Sequence, residues 1–87
     1  MNLNQLRAFR EVMRTGSVSE AARNLRRTQP AVSAQIAALA DDLDCKLFLR
    51  GGGRPKPVPE ARYVLEEAEA VLDRLTSTAR MLRHWLP

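Results

Sequence analysis

A chain of 87 residues, 45% of them hydrophobic, suffices for one small domain with a compact core and leaves little material for an enclosed ligand cavity. Its net charge of +4 is unevenly spread: residues 1–58 hold ten basic and five acidic side chains, whereas 59–87 hold four and five, so the N-terminal two-thirds is the part suited to a polyanion. The single Cys45 excludes an internal disulfide, no apolar run approaches the ~20 residues of a membrane span, and Met1-Asn2-Leu3-Asn4 has no signal-peptide pattern; the chain reads as cytoplasmic, with no membrane partner.

Leu3, Leu6, Phe9 and Met13, with Val12 beside them, make a helical stripe over roughly 3–14, with Arg7, Arg10, Glu11 and Arg14 on the other side and Gly16 closing the helix. Ser17-Val18-Ser19-Glu20 matches a capping box, in which Ser17 accepts from the Glu20 amide and Glu20 reaches back to the Ser17 amide. It predicts a second, short helix to about Leu25, with Val18, Ala21, Ala22 and Leu25 inward. Arg23, Arg26 and Arg27 lie outside, where solvation and phosphate contact are both open to them.

Two or three residues then separate Leu25 from a third helix, capped by Thr28 and tolerant of Pro30 in its first turn. So short a connection is that of a helix-turn-helix. Val32, Ile36, Leu39 and Leu43 form the buried stripe of this helix. Its outward side carries Pro30, Ala34 and Ala37, with Gln29 and Ser33 on the shoulder, and no long charged side chain. Such a face can approach another surface closely, and the major groove of DNA is about one helix wide. Asp41, Asp42 and Asp44 crowd the C-terminus of the helix, where its dipole disfavours negative charge.

Leu47-Phe48-Leu49-Arg50, the turn Gly51-Gly52-Gly53 and the extended Arg54-Pro55-Lys56-Pro57-Val58 predict a two-stranded wing with Arg50, Arg54 and Lys56 near its tip. From Pro59 to about Leu86 the spacing predicts one helix of ~28 residues, ~42 Å long, more than the roughly 25–30 Å width of the preceding body. A heptad seam runs along it from Val58 and Ala61 to Leu86, with Val64, Val71, Thr78 and Trp85 as a flanking row. Because so long a helix outruns its own domain, Leu65, Val71, Leu72, Leu75, Leu82, Trp85 and Leu86 are candidate residues for a homodimer interface. The wide apolar face and the lack of a matched charge pattern favour antiparallel helices.

In their order these elements resemble the N-terminal DNA-binding region of LysR-type transcriptional regulators, the helix-turn-helix in letter and the wing and long helix in kind. The resemblance rests on Leu6 and Phe9, Gly16-Ser17-Val18, Ala21-Ala22 and Leu25, the run Thr28-Gln29-Pro30-Ala31-Val32-Ser33, Gln35-Ile36, Leu39, Leu43, Leu47-Phe48 and Arg50. It implies a mainly α fold: a winged helix-turn-helix over 1–58, followed over 59–87 by a linker helix that dimerises. It also implies binding of double-stranded DNA at an inverted-repeat promoter site. By position, Gln29, Pro30, Ser33 and Ala34 would face base edges and nearby phosphates, Thr28 would sit at the phosphate-facing helix start, and Arg50 and Arg54 would hold the flanking backbone. Ala34 and Ala37 stand where such proteins often carry basic or long side chains. A small-molecule effector would act only through a domain absent from this chain.

No nucleophile–base pair, paired carboxylates or phosphate-cradling loop is recognisable, since Gly51-Gly52-Gly53 lacks the Lys-Ser/Thr of a P-loop. Cys45 and His84 have no partners at metal-ligand spacing, so no catalytic residue, metal or cofactor is expected. The rival from another class is a helical protein-interaction module without DNA readout. Absence of basic residues at 34 and 37 favours it; Gln29-Pro30, Ser33 and a basic wing favour DNA.

Overall fold

The computed structural model describes residues 1–49, 51 and 53–87. Helices α1 (Leu3–Thr15), α2 (Val18–Leu25) and α3 (Gln29–Leu43) precede a hairpin of β1 (Phe48–Leu49) and β2 (Lys56–Pro57), and α4 (Ala61–Trp85) completes the chain. The arrangement is a winged helix-turn-helix with a long C-terminal helix, and no helix among the described residues is long and apolar enough to cross a membrane.

Helix α1 starts with a full capping box: Asn2 Oδ1 accepts the Gln5 N–H at 2.9 Å, and Gln5 Oε1 accepts the Asn2 N–H at 3.1 Å. Hydrophobic spacing alone passes over that Asn-x-x-Gln pattern. Gly16, at φ 68°, closes the helix in the left-handed region that favours glycine. At the start of α2 only half of the expected box forms. Ser17 Oγ accepts the Glu20 N–H at 3.2 Å, but the Ser17 N–H donates to Thr15 Oγ1 at 3.2 Å, so the donor that Glu20 was to satisfy is already taken.

Helix α1 is the element on which the others pack, and it buries two faces. Leu6 and Phe9 join Leu39 of α3, Leu47, and Ala61, Ala68 and Leu72 of α4. Ala8 and Val12 join Ala21 and Ala22 of α2 and Val32 of α3, while Ile36 and Phe48 pack against both groups. Full burial of each large side chain stabilises by about 1.5–3 kcal/mol. The alanines of α2 keep that helix close to α1, and Asn24 Nδ2 donates to Glu11 Oε1 at 3.0 Å across the same pair.

The acidic end of α3 has a local explanation. Asp44 adopts φ 49° at the C-cap, a conformation short polar side chains tolerate, and its N–H and that of Cys45 reach back to the Ala40 carbonyl. Asp42 lies 2.6 Å from the Met1 amino group, an exposed pair of small energetic weight.

The wing is shorter than the sequence suggests. Phe48 pairs with Pro57 and Leu49 with Lys56, antiparallel, and the Val58 N–H donates to the Leu47 carbonyl at 3.0 Å. Pro57 has no N–H to extend the ladder. Leu47 is buried and the Phe48 ring meets Phe9 at 5.8 Å between centroids, so the base of the hairpin belongs to the core.

Helix α4 begins two residues later than expected. Pro59 and Glu60 form a turn without a side-chain cap, and the amides of Ala61, Arg62 and Tyr63 donate three residues back to Val58, Pro59 and Glu60. Its 25 residues span about 37 Å. The molecule measures 52 × 25 × 18 Å, so the helix projects beyond the body.

Ser17→Ala removes the one side-chain bond that caps α2, and is expected to cost about 1 kcal/mol. In a domain of this size that lowers the thermal midpoint by roughly 4–8 °C. Thermal unfolding followed by circular dichroism checks it, and equal midpoints for variant and parent would remove the capping role.

Candidate nucleic-acid interface

The connection between α2 and α3 is set by backbone geometry. Arg26 takes φ 55° as the C-cap of α2, and the Arg27 N–H donates to the Ala22 carbonyl at 2.9 Å, a closure that usually employs glycine. Two residues after Arg26, Thr28 caps α3, its hydroxyl accepting the Ala31 N–H at 3.2 Å, and Pro30 occupies the first turn. The tight turn and the burial of Val32 and Leu39 together fix which side of α3 points outward.

That side holds Thr28, Gln29, Pro30, Ser33, Ala34 and Ala37, all exposed. Beyond the capping Thr28, two neutral hydrogen-bonding side chains, Gln29 and Ser33, stand among small apolar groups, and none of these residues is charged. Gln29 offers both a donor and an acceptor from one amide plane. The groove between α3 and the wing is lined by Ser33 and Ala37 on one wall and by Leu49, Gly51, Gly53 and Pro55 on the other.

Arg54 and Lys56 are exposed. The Arg54 guanidinium lies against the α1–α2 turn, where Nη1 would stand 3.7 Å from a Cβ at Gly16. Thus Arg54 flanks the start of α2 rather than reaching free from the wing tip. Arg50, the third expected wing contact, lies outside the described residues. Among the described residues no ion pair neutralises Arg54 or Lys56.

The expected dimer residues divide into two groups. Leu72 is only 2% exposed, because it packs with Leu6, Phe9 and Leu39 of its own chain, and Leu65 is half-buried against the same core. Placing Leu72 on a partner-facing surface is therefore corrected: the domain body reaches farther along α4 than the heptad spacing alone indicates. Val71, Leu75, Leu82, Trp85 and Leu86 are exposed, from 38% at Leu75 to 68% at Trp85, and Met81 adds to that strip. Beside it, Leu3, Leu43, Val64, Ala68 and Val71 line an apolar groove between α4 and the body.

The family model for "bacterial regulatory helix-turn-helix protein, lysR family" matches residues 3–62, from the start of α1 into α4. This chain belongs to the lysR family. Among lysR-family relatives it is 43% identical over 84 residues to an uncharacterized HTH-type transcriptional regulator in the ibpB-leuC intergenic region of Azotobacter vinelandii, an alignment covering 97% of this chain and 58% of the relative. It is 36% identical over 88 residues to the transcriptional activator protein LysR of Escherichia coli K12, covering 98% of this chain and 28% of that protein. The chain thus spans little more than half the length of the first of these relatives and under a third of the second. In three dimensions it matches the BenM DNA-binding domain solved in complex with benA site 1 DNA, at a TM-score of 0.89 and 31% identity, covering 97% of this chain and 94% of that one. These relatives are regulators, not enzymes.

Sequence reasoning placed the outward face of α3 but missed one arrangement beside it. Arg7 of α1 and Arg27 of the α2–α3 turn line one cleft against Ala31 and Gln35 of α3. No periodicity connects positions twenty residues apart.

Proposed function

We propose that this lysR-family chain is the DNA-binding region of a transcriptional regulator. It binds double-stranded DNA through α3 and acts in the cytoplasm, where the bacterial chromosome is. The observation that carries this reading is the exposed, uncharged face of Gln29, Pro30, Ser33, Ala34 and Ala37, set beside a wing bearing Arg54 and Lys56. The fit of the whole chain to a domain solved on DNA supports it. Gln29 and Ser33 read base edges, Pro30 and Ala34 permit close approach, and Thr28, Arg54, Lys56 and Arg50 meet the backbone. Residues 1–58 carry readout, and 59–87 carry assembly into a homodimer on an inverted repeat, its half-sites about one helical turn, ~34 Å, or a multiple of it apart.

Binding to mixed-sequence duplex at two salt concentrations tests the core of this reading. Phosphate-based binding weakens steeply as salt rises, whereas a helical interaction module without DNA readout shows no such binding.

A bidentate glutamine–adenine contact discriminates by about 1–3 kcal/mol, so Gln29→Ala is expected to flatten the preference at one base position. Arg54→Ala is expected to weaken all sequences alike and to lower the salt slope by about one. Binding-site selection on the two variants separates the roles, and an unchanged preference in Gln29→Ala removes the reading role.

The dimer is expected to depend on the part of α4 that the domain leaves uncovered. Leu75→Asp places a charge in that strip and should yield monomers in sedimentation at micromolar concentration, where the parent is dimeric. A monomeric parent, or a variant still fully dimeric, would show that the strip packs elsewhere.

A further inference from the structure

The outward face of α3 has two edges. At one, Ser33 and Ala37 look across a groove to Leu49, Gly51, Gly53 and Pro55 of the wing, whose exposed cations are Lys56 and Arg54, the latter laid against the α1–α2 turn. At the other, Ala31, Ala34 and Ala38 follow one another at steps of three and four, a row with no charge of its own. A double-stranded groove presents a phosphate strand at each side of a helix lying in it. Arg54 and Lys56 can serve only the wing side.

The uncharged edge is bounded by a cleft of about 200 Å3 between α1, the α2–α3 turn and α3, lined by Asn4, Arg7, Leu25, Arg27, Ala31 and Gln35. Two arginines, Arg7 and Arg27, line this cleft and no carboxylate-bearing residue does. Among the described residues neither Arg7 nor Arg27 takes part in an ion pair. Like charges brought to one concave site repel one another, and an anion seated between them relieves that repulsion while accepting charge-assisted hydrogen bonds from both.

We propose that Arg7 and Arg27 form a second phosphate clamp, which holds the DNA backbone on the edge of α3 opposite the wing. The proposal rests on the DNA-binding reading above. Helix α1 and the turn supply the cations that Ala31, Ala34 and Ala38 do not, while Asn4 and Gln35 add neutral donors at the rim. The clamp reads no sequence, because a phosphodiester is the same at every step.

The test measures affinity of the 87-residue chain for mixed-sequence duplex against salt, for the parent, Arg7→Gln, Arg27→Gln and the double variant. Arg80→Gln, on the projecting end of α4, controls for loss of net charge. Each clamp variant should lower the slope of log affinity against log salt by about one, and the double variant by about two. Base preference in site selection should stay that of the parent, as should the slope of Arg80→Gln. A parent that binds with steep salt dependence while the double variant keeps its slope and affinity overturns the clamp and leaves the DNA-binding reading intact. Equal losses in Arg80→Gln, or a changed base preference at an unchanged slope, overturn it as well. A parent with no salt-dependent binding removes the reading itself and the clamp with it. Should Arg7→Gln unfold the chain, Arg27→Gln decides alone: Arg27 is exposed in a turn, and its slope either falls by about one or refutes the proposal.

Discussion

Everything in this molecule depends on α1 burying two faces at once. Leu6 and Phe9 point to one side and Ala8 and Val12 to another, about 110° away on a helix of 3.6 residues per turn. The first face receives Leu39, Leu47 and α4; the second receives α2 and Val32. Helix α3 contributes to both, and is therefore held against rotation about its own axis. A cavity at a residue such as Phe9 typically costs about 3–5 kcal/mol, a large share of the roughly 5–15 kcal/mol that holds a small domain folded. The outward face of α3 can be poor in side chains because its inward face carries the stability.

Much of this was legible in the sequence, for a physical reason. Helical period reports which side of a helix is buried, so the stripe Val32, Ile36, Leu39 and Leu43 also identified the exposed face of Gln29, Pro30, Ser33, Ala34 and Ala37. Backbone conformations set by context were not legible. Arg26 at φ 55° occupies a position where glycine would have announced the turn, and nothing in an arginine does so. The Ser17 amide pairs with Thr15 rather than Glu20, a choice between two nearby acceptors that a four-residue motif does not encode. Arrangements across the fold were hidden for another reason: the approach of Arg54 to the α1–α2 turn, and the cleft that Arg7 and Arg27 both line, exist only once the helices have packed.

The seam of α4 shows where pattern and packing part company. From Ala61 to Leu82 its spacing is nearly uniform, and by sequence every position on it is equivalent. In the folded chain Ala61, Ala68 and Leu72 are buried, whereas Leu75, Leu82 and Leu86 are exposed, and the change falls where the helix leaves the body. One continuous stripe thus has two uses. Ala61 and Ala68 let α4 sit close to α1, whereas Leu75, Ala79 and Leu82 lie exposed where the helix has nothing of its own chain to pack on.

This division bears on how two chains would meet DNA. A flexible joint between α4 and the body would let paired α4 helices leave the two α3 helices at variable separation, and fixed half-site spacing would need another cause. The joint is not of that kind. Leu72, nearly halfway along α4, shares its core with Phe9 and with Leu39 of α3, and the Val58 N–H ties the residues just before α4 to the Leu47 carbonyl. The angle between α3 and α4 is therefore set by the same buried side chains that hold the domain together. In a dimer paired through the exposed end of α4, the spacing of the two recognition faces follows from the core of each chain and the two-fold axis, with no linker left to adjust it.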